Sequence, residues 1–216
     1  MRRDVAQVSP VGGGPSDDGL SDVWWQPGSG GSRLLFLARL RARCTDTISA
    51  QLEAHGVLDV LGAEVFPFDL LHQSFSDRYR DTPEIRRRLL LAGARVQAQA
   101  FTLAPDRLQC EANGRGSANI DVRVRGGSGK VDALVDAINA AIAEEGLPMG
   151  GRHSAHVTVS YGFHGEMPRS RKIPEIDVVI DAFELVLGGG KPYRYTTLGR
   201  WELGPEPPRR VQPSLF

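Results

Sequence analysis

The chain has 216 residues, 26 Lys+Arg against 26 Asp+Glu, 41% hydrophobic residues and 24% charged ones. That balance suits one compact domain, or two small lobes folded as a unit, and zero net charge excludes a histone-like or polybasic nucleic-acid binder, leaving any nucleic acid to be engaged locally, at a cleft. No apolar run approaches the ~18 residues of a membrane span, and the N-terminus lacks the apolar stretch of a secretory signal; two cysteines, Cys44 and Cys110, are too few for a disulfide framework or a four-thiolate zinc site. The expectation is a cytoplasmic protein with reduced core thiols.

Residues 1–31 are rich in Gly, Ser, Pro and Asp and are expected to form a disordered tail. Trp24-Trp25 interrupts them; one of the pair is expected to dock on the body, the alternative being a base-stacking or lid residue. A domain over residues 32–204 follows, then an irregular, Pro-rich C-terminal tail, 205–216.

Within the domain, RLLFLAR (33–39) reads as a buried strand. A helix is expected from about Thr45 or Asp46, with Ile48, Leu52 and His55 on one face and Gly56 as its stop. AEVF and DLLHQSF read as strand-like runs split by Pro67. Thr82-Pro83-Glu84 is a helix start: a cap, a proline at the first helical position and an acid in the first turn. That helix is expected to end near Gly93. QAQAFTL, RLQCEA and NIDVRVR read as strands, the last alternating Ile120, Val122 and Val124 with charged residues. KVDALVDAINAAIAEEG is an amphipathic helix carrying Val131, Leu134, Val135, Ile138 and Ile142 on one face. SAHVTVSYG, IDVVIDAFELVL and YRYTTLGRWEL complete the strands. The sum is α+β, with about eight strands, at least three helices and two small antiparallel sheets.

Two segments carry chemistry: Leu71-His72-Gln73-Ser74-Phe75 and Ala155-His156-Val157-Thr158-Val159. Each is strand-like, with a hydroxyl residue two positions after a histidine, so His72 shares a face with Ser74 and His156 with Thr158. The unit occurs twice, 84 residues apart (156 minus 72). Two such units facing each other suit in-line attack at a phosphodiester. An unperturbed imidazole titrates near 6.5, so one can act as base and its partner as acid, while the hydroxyls hold non-bridging oxygens. No metal or cofactor is required. His153-x-x-His156 puts its two rings on opposite faces of a strand, with no carboxylate or cysteine close in sequence, and is not read as a metal site. RGGSGKVD lacks a glycine at Val124 and has Val131 where Ser or Thr would follow the lysine, so Gly126 to Gly129 read as a turn before a helix.

The paired His-x-Ser/Thr strands resemble the 2H phosphoesterase superfamily, and their setting resembles its 2′-5′ RNA ligase / RNA 2′,3′-cyclic phosphodiesterase branch over about residues 33 to 203. The resemblance implies a bilobal, pseudo-two-fold fold with two antiparallel sheets facing across a central cleft and helices packed outside. It implies that His72 donates a proton to the leaving ribose oxygen, that His156 activates water, and that Ser74 and Thr158 bind the phosphate. The implied reaction opens RNA 2′,3′-cyclic phosphate ends to 2′-phosphates, with 2′-5′ RNA ligation as its reverse. The implied partners are RNA ends or nucleotide 2′,3′-cyclic phosphates; no membrane and no obligate protein partner is inferred.

The chain departs from the family pattern at Gln73, where an apolar residue is usual, at Ser74, where threonine is commoner, and at Tyr161, where an arginine often stands. Arg78 is a candidate substitute for that arginine. Arg169, Arg171 and Lys172 form a basic loop that would hold an RNA backbone or be a solvated charged loop. Two further readings stay open: an RNA-end or nucleotide-binding module with little turnover, and a phosphodiesterase for a small cyclic phosphodiester.

Overall fold

The computed structural model describes residues 23–25, 31–114 and 116–207. Most of the tail expected over 1–31 and the end of the one expected over 205–216 therefore lie outside the described residues. Among those described, four α-helices and eleven strands alternate along the chain. Strand β1 (Arg33–Arg39) leads into α1 (Ala42–Ala54) and the short α2 (Val57–Leu61). Then come β2 (His72–Ser74), β3 (Tyr79–Arg80) and α3 (Pro83–Arg95). Strands β4 (Phe101–Leu103), β5 (Arg107–Ala112) and β6 (Ala118–Arg123) precede α4 (Gly129–Glu144). Strands β7 (His156–Phe163), β8 (Ser170–Lys172), β9 (Val178–Ile180), β10 (Ala182–Gly189) and β11 (Arg194–Glu202) close the chain.

All strand pairings within the sheets are antiparallel. One sheet runs β11-β10-β1-β2, with β3 also on β1; a second runs β7-β6-β5-β8; β4 and β9 form a pair of their own. Leu34, Phe36 and Ala38 of β1 enter the main core, while Leu35 and Leu37 form a separate small cluster with Val186 against Tyr195. The registers Leu37↔Ser74 and Arg39↔His72 put His72 and Ser74 on the Leu35/Leu37 face. Phe36, Phe183 and Trp201 meet on the other, with Phe183 stacked on Trp201 at 5.2 Å. Helix α3 lies directly over this cluster: a Cβ on Gly93 would overlap the Trp201 ring, so only glycine permits the approach. Burying rings of this kind contributes about 1.5–3 kcal/mol each.

The local signals explain most element ends. Thr82 caps α3, its hydroxyl accepting from Ile85 N at 3.2 Å, and the helix runs to Arg95, past Gly93. Ser128 caps α4 in the same way after Gly126 and Gly127, both at positive φ. Helix α1 starts earlier than Thr45. Its N-cap is Arg41, with no side-chain cap, and the Thr45 hydroxyl donates back to the Ala42 carbonyl at 2.8 Å. AEVF is not a strand: Val65 makes a single bridge to Ser160. DLLHQSF contributes only its last part to β2, because Phe68–Leu70 turn as a 3₁₀ segment after Pro67. The run IDVVIDAFELVL divides into β9 and β10, which belong to different sheets.

Candidate functional site

The two histidine strands sit in different sheets, and one side chain joins them. Gln73 is fully buried. Its Nε2 donates to the Ser154 carbonyl at 3.1 Å and to the Ser74 carbonyl at 2.8 Å, and its Oε1 accepts the backbone N–H of His156 at 2.8 Å. The residue that departs from the apolar family pattern is thus a polar link between the motifs.

On β7 a bulge re-aims the strand. Asp121 pairs with Thr158 and Asn119 with Tyr161, so one extra residue lies between them. Strict alternation would put Tyr161 opposite Thr158; the bulge returns it to the face of His156 and Thr158. A cavity of about 500 Å³ is lined by Ser74, Asp77, Arg78, Asn119, His153, His156, Thr158 and Tyr161, among others. A second, of about 640 Å³, shares Trp25, Arg78, Asn119 and Tyr161 with it and adds Arg33, Phe66, Tyr193 and Tyr195. Residues of both main sheets therefore line one continuous cleft.

The histidines occupy different environments. The Nδ1 of His156 lies 2.9 Å from the Ser154 carbonyl and 3.2 Å from its hydroxyl. A carbonyl only accepts, so Nδ1 carries the proton of the neutral ring and Nε2 keeps a lone pair. His72 makes the equivalent contact, Nδ1 to the Leu70 carbonyl at 2.8 Å, and its Nε2 lies 3.4 Å from the Tyr195 hydroxyl. The face that His72 shares with Ser74 is not open at His72. The residue is 7% exposed, with the rings of Phe66 and Tyr195 against it. Burial, with smaller contributions from Arg78, His156 and Arg33, pushes its pKa down to about 4 against the opposing Leu70 bond. Burial also raises the Tyr195 phenol, which stays protonated.

The hydroxyls differ too. Thr158 is buried and donates to Asp121 Oδ1 at 2.7 Å, while Asp121 Oδ2 lies 3.1 Å from Arg123 Nη2. The Ser74 hydroxyl makes no hydrogen bond among the described residues and lines the cleft. Arg78 lines both cavities, and its guanidinium has no hydrogen bond or ion pair among the described residues. His153 faces Asp77, Nε2 to Oδ1 at 3.3 Å, and Asp77 Oδ2 accepts Gly151 N at 2.8 Å. These contacts hold the Asp77 carboxyl below its usual range, the His153 bond most, against the burial that raises it.

Arg169, Arg171 and Lys172 do not line this cleft. Residues 170–172 form β8 instead of a loop, at the edge of the second sheet remote from β7. Three strand spacings put it about 14 Å away. Arg171 donates to the His55 carbonyl at 2.6 Å. Conversely, Arg33, Phe66, Asn119, Asp121, Tyr193 and Tyr195 were not legible as site residues, and Trp25 was so only through the alternative base-stacking or lid reading of the Trp24-Trp25 pair. Only Trp25 gave a signal, as an aromatic in a polar tail. It lines the cleft, while Trp24 docks on Tyr79 at 4.7 Å between ring centroids.

No family model matches the sequence, and no curated protein matches it. Among solved structures, Escherichia coli LigT in its apo form superposes with a TM-score of 0.65 at 23% identity, covering 82% of this chain and 99% of LigT. A structure described as a phosphoesterase matches with TM-score 0.65 at 22% identity, covering 81% of this chain and 99% of that one. LigT has also been solved with phosphate, 3′-AMP, ATP and NADP+, and these structures match at TM-scores of 0.61–0.62. The chain has the fold of LigT and of that phosphoesterase, the fold that the resemblance to 2H phosphoesterases implied.

Proposed function

We propose that this protein is a 2H phosphoesterase that hydrolyses RNA 2′,3′-cyclic phosphate ends to 2′-phosphates by two-histidine acid–base catalysis, with 2′-5′ ligation as the reverse. The observation that carries the reading is the convergence of His156, Thr158 and Ser74 on one cavity with Arg78, which has no partner among the described residues; His72 lines neither cavity itself and lies behind Tyr195 of the adjoining one, its Nε2 3.4 Å from that hydroxyl. That LigT, of the same fold, has been solved with phosphate and with 3′-AMP supports an anionic, nucleotide-like ligand.

In this scheme a water oxygen attacks phosphorus as the bond to O3′ breaks. His156 Nε2, freed by the Nδ1 anchor on Ser154, takes the water proton. His72 in its imidazolium form gives its Nε2 proton to O3′, leaving a 2′-phosphomonoester and a 3′-hydroxyl. Solvent then returns the proton from His156 to His72. Ser74 and Arg78 hold the non-bridging oxygens, where charge-assisted bonds count most. An empty site keeps His72 neutral near pH 7. The substrate anion must therefore charge it: at about 4 Å and an effective dielectric near 20, one unit charge contributes about 4 kcal/mol, enough for a shift of about 3 pH units.

The test is turnover of a 2′,3′-cyclic nucleotide with EDTA present. His72→Ala and His156→Ala should each lower kcat by about 100-fold or more. Equal activity in all three proteins rejects the assignment. Tight nucleotide binding without turnover by the wild type would favour the binding-module reading, to which the burial of His72 also leans.

A further inference from the structure

Residues 23–25 precede β1 and extend the first sheet. Trp24 bridges Tyr79 antiparallel, Trp25 N donates to the Arg78 carbonyl at 2.9 Å, and Arg80 N donates to the Val23 carbonyl at 2.9 Å. Val23 is 2% exposed. This added strand delivers Trp25 to the cleft, where its indole N–H donates to the Gly31 carbonyl at 3.0 Å. The Arg33 guanidinium lies 4.9 Å from the Trp25 ring centroid and 5.0 Å from that of Tyr193, and donates to the Tyr193 hydroxyl from Nε and Nη2 at 3.1 and 2.9 Å. Its Nη1 makes no hydrogen bond among the described residues.

Three groups in mutual contact thus form one wall of the cavity of about 640 Å³: an indole, a guanidinium and a phenol. Gly188 is part of the arrangement, since a Cβ there would collide with the Tyr193 hydroxyl. Across from the wall stand Asn119 and Tyr161, which also border the histidine cavity. Aromatic faces with an adjacent guanidinium are what flat, hydrogen-bonding rings stack on. The two adjoining cavities, about 640 and 500 Å³, each match a whole small-ligand pocket of about 300–1,000 Å³. Two cations, Arg78 by the histidines and Arg33 by the aromatic wall, face two places along the cleft.

We propose that the Trp25–Arg33–Tyr193 wall is a nucleobase-stacking platform for a second nucleotide, so that the cleft selects oligonucleotide cyclic phosphates over mononucleotides. The internucleotide phosphate lies toward Arg33, and the reacting one toward Arg78. This rests on the phosphodiesterase reading for the identity of the reacting group, but the platform itself is judged by binding.

The experiment measures kcat/KM on a nucleoside 2′,3′-cyclic phosphate and on a dinucleotide with the same cyclic end. The wild type should prefer the dinucleotide by tenfold or more. Trp25→Ala should lower that preference about 5- to 150-fold, the range for loss of one stacked base, and Trp25→Phe should restore most of it. Gly188→Ala, which displaces Tyr193, should also lower it. No preference in the wild type, or equal losses on both substrates in Trp25→Ala, overturns the platform. If neither substrate is turned over, the phosphodiesterase reading fails on its own. The platform is then decided by tryptophan-fluorescence titration with a dinucleotide 3′-phosphate and a nucleoside 3′-phosphate: tighter dinucleotide binding lost in Trp25→Ala supports it, and equal affinity refutes it.

Discussion

The backbone N–H of His156 donates to the side-chain Oε1 of Gln73 at 2.8 Å, across the boundary between the two main sheets. The Gln73 side-chain Nε2 in turn donates to the Ser154 carbonyl, which also meets His156 Nδ1. One side chain on the first motif therefore fixes both the backbone and the imidazole anchor of the second. An apolar residue there would fill the space but leave the His156 N–H and part of the Ser154 carbonyl without partners.

Replacing Gln73 by Leu is accordingly expected to slow catalysis more than it weakens binding. A displacement of about 1 Å in a reacting group costs about 100-fold, so steady-state kinetics should show kcat falling about 10- to 100-fold with KM changed less than about threefold. Loss of two buried partners should also lower stability by about 1–3 kcal/mol. An unchanged kcat would show that the link is structural only.

The burial of His72 makes a second expectation, on stability. Its pKa falls from 6.5 unfolded to about 4 folded. Between those values the unfolded chain binds a proton that the folded one does not, so this contribution is full above about pH 6.5 and lost as pH falls toward 4. The magnitude is about 3 kcal/mol. In urea unfolding at pH 7.5 and pH 4, the wild type should lose about that much more stability than His72→Gln. Equal losses would mean that His72 titrates as in water.

Ligand binding should run the other way. An anion beside His72 favours its imidazolium, so binding takes up a proton, and affinity for orthophosphate or 3′-AMP should rise as pH falls from 8 to 6. Calorimetry in buffers of different ionisation enthalpy reads the uptake directly. His72→Gln should reduce it, and an uptake of zero in the wild type would leave His72 without its acid role.

Asp121 holds the only proton of the Thr158 hydroxyl and is itself paired with Arg123. The hydroxyl thus cannot donate to a phosphoryl oxygen while Asp121 keeps it. In Asp121→Asn an amide donor faces the Thr158 oxygen, the hydroxyl proton is released toward the cleft, and one negative charge is gone. Phosphate affinity should rise several-fold, read by calorimetry, and weaker phosphate binding would overturn this account of the pair.

How much of this was legible depended on whether the signal was local. Caps, period-2 alternation and the repeated histidine strands are written in contiguous residues, and α3, α4, β1 and β7 lie close to where the pattern puts them. Pro67 and the 3₁₀ turn after it shortened β2, because an apolar run carries no mark of where pairing begins. The β7 bulge was invisible for a related reason: alternation predicts Tyr161 away from Thr158, and only the register with β6 reverses that. The burial of His72 was also hidden, since Phe66 and Tyr195 reach it from outside its strand, Tyr195 from 123 residues away.

Of the two cations that line the cleft, Arg78 was named from sequence only as a substitute and Arg33 not at all; Arg78 yields the last expectation. Tyr161 stands where the 2H phosphoesterases that the motifs resemble often carry an arginine, and its phenol, ordinarily neutral at pH 7, is pushed further from ionising by burial. Arg78, 83 residues earlier in the chain (161 minus 78), lines the same cavity and has no partner among the described residues. A charge-assisted bond to phosphate is worth about 1.5–3 kcal/mol, so Arg78→Gln should weaken phosphate binding about 10- to 150-fold. Lys172→Gln on the distant edge strand should change it less than twofold, since β8 lies about 14 Å from β7. Calorimetric titration at fixed pH and low salt separates the two. Comparable losses in both variants would mean that the charge acts through the overall field, with no direct contact from Arg78.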